Sequence, residues 1–223
     1  LETKAAPVRR LTALLAALLA AAALAAWGVT ACGHPLLPSP QPVSGKTAAS
    51  LGRSDWPVLG ESRPVVGVDL YALRNYSAAQ VEAYGKRMLA YIKNVLKADA
   101  VGIVWNFYAP SPVSDTVKAT GETLSPGNVA ILTRIALQDH LLVQYRPLIL
   151  VSGPSPWEGQ ITPLLDSTWF NSYYRAELPY LRTAQRFRVR EFVTGTELVL
   201  VNSSPLWSSL FARASRVYHG LIS

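Results

Sequence analysis

Glu197 closes the stretch Glu191-Phe192-Val193-Thr194-Gly195-Thr196-Glu197-Leu198, which reads as a short buried strand stopping on a carboxylate. Phe192 and Val193 are apolar, Gly195 lets other backbone come close, and Pro205 begins a helix soon after. A carboxyl group held at such a point can give up or take a proton during a reaction once its pKa is tuned by burial or by a neighbouring charge. An ordinary solvated glutamate at a strand–loop boundary fits the octapeptide equally well. Other side chains with chemistry to offer stand at comparable places. Asp69 follows an apolar run, and Trp105, Asn106 and Tyr108 end another. Arg146 stands at the end of a third, and Trp157 and Glu158 sit in a loop rich in turn formers.

The elements that must position these residues alternate regularly. Val65–Tyr71 reads as a first strand. Ser77 with Gln80 three residues on forms a capping box before a helix carrying Val81, Tyr84, Met88, Tyr91, Ile92 and Val95 at helical spacing. Ala100–Tyr108 is a second strand, and Ser125-Pro126 opens a second helix that stops near His140. Leu141–Ile149 is the third strand. Trp169 to about Phe187 is helical, with Pro179 kinking it or splitting it. A fourth strand runs to Glu197, and a helix from Pro205 to His219 ends at a Gly220 cap. The order βαβαβαβα implies an α/β fold with a parallel sheet, either doubly wound or part of a barrel. The residues after the first strand, Asp69-Leu70-Tyr71-Ala72-Leu73-Arg74, contain nothing like GxGxxG, which counts against a dinucleotide fold. In a parallel barrel the carboxyl ends of the strands face the active site, and Glu197 is placed there.

Together these pieces resemble the first half of a clan A glycoside hydrolase barrel, most closely the family 113 β-mannanase type. The residues carrying the resemblance are Gly67-Val68-Asp69, Arg146-Pro147-Leu148-Ile149, Trp169-Phe170-Asn171-Ser172-Tyr173 and Phe192-Val193-Thr194-Gly195-Thr196-Glu197-Leu198. The resemblance implies a parallel (βα)4 half of a TIM (β/α)8 barrel over residues 64–223, acting on β-linked mannan- or glucan-type polysaccharide. It implies that Glu197 is the general acid/base. The second carboxylate, the nucleophile ending the seventh strand in that clan, has no counterpart here. Thr196 stands where many members carry an Asn that binds the sugar 2-hydroxyl. A retaining glycosidase holds its two carboxyls about 5–5.5 Å apart, and one alone cannot carry out the double displacement. No hydrolysis is therefore expected of this chain by itself, and the alternative reading is a non-catalytic carbohydrate-binding or structural envelope lipoprotein of the same fold. A barrel of this type has about 250 residues. The chain opens on Leu1 rather than Met, and the expectation is a fragment whose partner is the remaining half-barrel, with Leu221-Ile222-Ser223 opening a fifth strand.

Within that reading, Trp105, Asn106, Tyr108 and Trp157 are candidate substrate contacts, because aromatic faces beside polar groups suit pyranose rings. Core packing is the competing role for Trp105. Arg146 either orients a carboxylate through a two-pronged hydrogen bond or forms a structural ion pair, and Asp69 either touches substrate or organises the rim. No cofactor or metal is expected. His34, His140 and His219 are far apart, with no ligand-spaced partner, and no Gly-x-Ser-x-Gly elbow occurs. The charge of +7 is scattered. Its one cluster, Arg182, Arg186, Arg188 and Arg190, falls at a helix end where cations are usually solvated, so nucleic acid is not an expected partner.

Ahead of the barrel residues, Lys4, Arg9 and Arg10 precede an uncharged, Leu/Ala-rich run from Leu11 to Trp27, a secretory pattern. Val29-Thr30-Ala31-Cys32-Gly33 follows and resembles a bacterial lipobox, which implies lipidation at Cys32 and anchoring on the extracytoplasmic face of the membrane. An uncleaved single-pass anchor or a secreted product is the alternative. With one cysteine the chain has no internal disulfide. The organisation is a signal or anchor segment over 1–32, a Pro/Ser/Gly-rich disordered linker over 33–63, and the half-barrel over 64–223.

Overall fold

A computed structural model describes residues 65–72, 74–152 and 157–223. The segments 1–32 and 33–63, with Cys32 and the expected lipid anchor, lie outside the described residues. Among the described residues no helix is long and apolar enough to cross a membrane.

Five strands form one parallel sheet in the order β1 (Gly67–Tyr71), β2 (Ala100–Ala109), β3 (Leu142–Val151), β4 (Glu191–Phe192) and β5 (Leu221–Ile222). Each new strand adds beside the last, with no reversal of direction. A doubly wound sheet reverses and covers both faces with helices. Here α1 (Ala78–Asn94) packs on α2 (Pro126–Gln138), α2 on α3 (Asp166–Phe187) and α3 on α4 (Leu206–Ala214), so the helices form a continuous layer. The sheet order therefore favours an arc of a barrel over the doubly wound alternative, and β5 stands where a fifth strand was expected.

Local sequence sets the helix starts as anticipated. The Ser77 side chain accepts from the Gln80 N–H while the Gln80 side chain bonds back, and Ser125 caps α2 ahead of Pro126. Three boundaries differ. First, α3 runs through Pro179 as one helix. Its buried stripe, Trp169, Tyr173, Tyr180, Leu181 and Ala184, extends to both sides of the proline, and that packing outweighs a cost of about 3 kcal/mol. Second, α4 ends at Ala214 rather than near His219, because Tyr218 turns into the core and donates its hydroxyl to the Val189 carbonyl at 2.6 Å. Third, β4 is two residues long. Val193 and Thr194 continue the ladder through bonds to the Tyr145 and Ser223 carbonyls, and the chain then leaves the sheet at Gly195. A Cβ on Gly195 would come within 3.1 Å of both Leu198 and the Trp207 ring, so side chains rather than backbone crowd this glycine.

Alternation along the long strands sorts residues onto two faces. Val101, Ile103, Trp105 and Phe107 of β2 join Val143, Tyr145 and Ile149 of β3 and Phe192 of β4 in a core under the helices. Trp105 stacks on Tyr180 with ring centres 4.5 Å apart and meets Tyr145 and Phe192 edge-on. The other face carries Asp69, Tyr71, Asn106, Tyr108, Gln144, Arg146 and Glu191.

Candidate functional site

Beyond the end of β4 the chain makes a bend at Thr196 and Glu197, and Glu197 takes φ 60°, the left-handed region. Among the described residues three other non-glycines share a positive φ: Lys97, His140 and Arg188. Each of those lies just past the end of a helix, where such a conformation ordinarily terminates the element. Glu197 does not. Its backbone is held by the Val199 N–H, which donates to the Glu197 carbonyl at 2.8 Å. Its exposed carboxylate accepts a hydrogen bond from the Trp157 indole N–H at 3.1 Å. Trp157 comes from the loop after β3, just ahead of a short 3₁₀ turn over Glu158–Gln160. The indole lies flat over Gly159, and any Cβ there would collide with the ring. The Gly159 carbonyl in turn accepts from Leu200 N–H at 3.3 Å, tying the two loops together. Sequence reading placed Glu197 and Trp157 in the site separately; the structure brings them into contact.

Thr196 is half-buried, and its hydroxyl makes no hydrogen bond among the described residues. A cavity of about 430 Å³ opens beside this bend, lined by Thr194, Gly195, Glu197, Leu198, Trp207 and Ser223.

The remaining expected contacts sit elsewhere. Asp69 and Arg146 were expected near strand ends. Instead Asp69 is in register with Gly102, Gln144 and Glu191 near the amino-terminal end of the sheet, and Arg146 is midway along β3. With a rise of about 3.3 Å per residue, the Asp69 level lies roughly 20 Å below Tyr108. Arg146 donates to Asp69 at 2.9 Å, both side chains remaining partly exposed, so each serves the other rather than the strand mouth. Beside them Gln144 donates to Glu191 at 2.8 Å, and a cavity of about 250 Å³ opens at this lower level.

Trp105 requires a correction as a substrate contact. It points into the helix-covered core with no exposed surface, because its place in the β2 alternation puts it on the face of Ile103 and Phe107. Asn106 and Tyr108 do lie on the opposite face. Asn106 is buried and accepts from the Tyr71 hydroxyl at 2.5 Å. Tyr108 approaches Glu122 at 3.2 Å; partial burial first and that carboxylate second push its phenol pKa up. Tyr71 was missed as a partner of this row, though its spacing from Asp69 along β1 already put it on that face. Among the described residues no group of His, Cys, Asp and Glu is placed to hold a metal ion.

Three solved structures share this arrangement of strands and helices. One is a GH113 beta-mannanase from Alicyclobacillus acidocaldarius in complex with ManMIm, 19% identical, covering 72% of this chain and 54% of its own, with a TM-score of 0.62. The second is a GH113 beta-1,4-mannanase, 17% identical, covering 71% and 53%, also with a TM-score of 0.62. The third is a complex of a GH113 beta-1,4-mannanase, 18% identical over the same shares, with a TM-score of 0.61. The chain thus has the α/β fold of part of a TIM barrel, and it spans about half the length of the structures it matches. No protein-family model and no curated protein matches it.

Proposed function

We propose that the chain is the amino-terminal half of a retaining glycoside hydrolase acting on β-linked polysaccharide of the mannan or glucan type, with Glu197 as its general acid/base. The observation that carries this reading is the carboxylate of Glu197, presented beyond a β4 strand end on a left-handed backbone and oriented by the Trp157 indole. Non-glycine residues held in that backbone region cluster at sites that do chemistry. The likeness in fold to GH113 mannanases makes a saccharide the favoured substrate class.

In this reading Glu197 protonates the departing glycosidic oxygen and then deprotonates the incoming water. Trp157 fixes the carboxyl's rotamer and offers its exposed face to a sugar ring. Asn106, Tyr108 and the free Thr196 hydroxyl are the polar contacts assigned to substrate. The nucleophile comes from the βα units that complete the barrel, and the whole is held outside the cytoplasm by lipid on Cys32. A second reading, saccharide binding without cleavage, draws on the other inner-face carboxylates. Asp69 and Glu191 are engaged with Arg146 and Gln144 at the lower level, away from Glu197.

The test is cleavage of mannan and glucan oligosaccharides by the gene product carried through the completing units. Glu197→Gln is expected to lower the rate by about 10²–10⁴-fold while leaving thermal unfolding unchanged. Equal rates would remove Glu197 from the role, and tight oligosaccharide binding without turnover by the unaltered product would select the second reading.

A further inference from the structure

Glu177 is a carboxylic acid in the middle of the core. It lies on the sheet-facing side of α3 with no exposed surface; among the described residues neither oxygen completes a hydrogen bond of good geometry, and the Tyr173 hydroxyl is the polar group within reach. Among the described residues the one titratable group acting on it is Tyr173, one helical turn earlier. An ionised carboxylate in such a place, with no cation acting on it, costs several kcal/mol. Burial drives its pKa well above the usual carboxylate range, with Tyr173 a weaker opposing influence.

The Tyr173 hydroxyl spends its one proton on the Thr194 carbonyl, at 2.6 Å. Its oxygen still has lone pairs to accept a bond. Thr194 is held from its other side too, since its N–H and its hydroxyl donate to the Ser223 carbonyl at 2.7 and 3.0 Å. Glu197 follows three residues later. Two further donors in the same aromatic layer, the indole N–H groups of Trp105 and Trp169, have no acceptor among the described residues. Trp169 packs on Tyr173 and Trp105 on Tyr180, the residues one turn to either side of Glu177.

We propose that Glu177 is a neutral acid that donates its proton to the Tyr173 oxygen, and that this relay fixes the backbone at Thr194 and with it the stance of Glu197. Successive hydrogen bonds polarise one another, so the Tyr173–Thr194 bond is strengthened from behind. Glu177 and Tyr173 are then positioning residues that touch no substrate. Their consequence for turnover rests on the reading of Glu197 as the acid/base, whereas the protonation of Glu177 does not.

Infrared difference spectra between the full chain and Glu177→Gln test the first half. A protonated-carboxyl C=O band is expected in the unaltered chain at neutral pH, absent from the variant and moved to higher frequency by Tyr173→Phe. No such band at neutral pH would mean an ionised Glu177 and would overturn the proposal. The indole ¹H–¹⁵N resonance of Trp157, which reports its bond to Glu197, tests the second half. It is expected to shift in Tyr173→Phe and to hold in Glu177→Gln, whose amide still donates. An unmoved resonance in Tyr173→Phe would overturn the positioning role. Neither measurement involves hydrolysis, so a null result for Glu197→Gln turnover would defeat the hydrolase reading while leaving the infrared band in place.

Discussion

The two faces of this sheet are made by the same strands and differ in nearly every physical respect. Under the helices, Trp105, Phe107, Tyr145, Phe192, Tyr173 and Tyr180 lock into an aromatic cluster with ring centres 4.5–6.3 Å apart. On the concave face the same alternation presents the hydrogen-bonded pairs Asp69–Arg146 and Gln144–Glu191, which are partly open, and a buried Asn106 bonded to Tyr71. One face holds the fold and the other leaves groups available for chemistry. A single-residue slip in strand register would exchange them.

The comparison is most exposed to breakage at Trp105. If the helix-covered face carries the stability, Trp105→Ala removes a wholly buried ring stacked on Tyr180 and is expected to cost about 3–5 kcal/mol, read as a lowered urea midpoint. Had Trp105 been a sugar contact, the same change would weaken oligosaccharide binding and leave the midpoint nearly untouched. A midpoint shift with saccharide affinity retained upholds the division; the reverse pattern undoes it.

Glu177 tests whether the core face is uniformly apolar in its behaviour. Its pKa is raised in the folded chain, so between the ordinary carboxylate pKa and that raised value the folded state retains a proton that the unfolded state releases. Stability contributed at low pH is therefore lost as pH climbs through that window, by up to about 1.4 kcal/mol per pH unit. Glu177→Gln removes this dependence. The urea midpoints of the two proteins are expected to diverge as pH rises above about 4.3, with the variant the more stable. Parallel pH profiles would show that Glu177 is already ionised and paired when folded.

Much of this arrangement was legible in the chain. Period-two alternation in Leu142–Ile149 marks both faces of β3, and Ser77, Ser125 and Pro126 mark helix starts because their signals are local. What alternation could not give was height along a strand. Asp69 and Arg146 looked like strand-end residues because strand lengths were unknown; β2 in fact runs five residues past its last pairing with β1. Trp105 was misassigned because its chemistry suits a sugar, although its parity with Ile103 and Phe107 already assigned it to the core. The Trp157–Glu197 contact joins residues forty positions apart and leaves no local trace. Glu177, by contrast, breaks an otherwise apolar helical stripe between Tyr173 and Tyr180, and that interruption was readable.

The smallest expected effect sits on the concave face and separates an open surface from a closed one. Arg146 and Asp69 remain 37% and 49% exposed while paired at 2.9 Å. Water screens a pair of this kind, and ordering two side chains offsets part of the attraction. A double-mutant cycle with Arg146→Met and Asp69→Asn on this chain is therefore expected to give a coupling within about 1 kcal/mol, weakening as salt shortens the range of the interaction. A coupling of several kcal/mol, insensitive to salt, would mean that something excludes water from the concave face. In that case the polar row would be a second core, and the division between a stabilising face and a reactive one would have to be redrawn around whatever covers it.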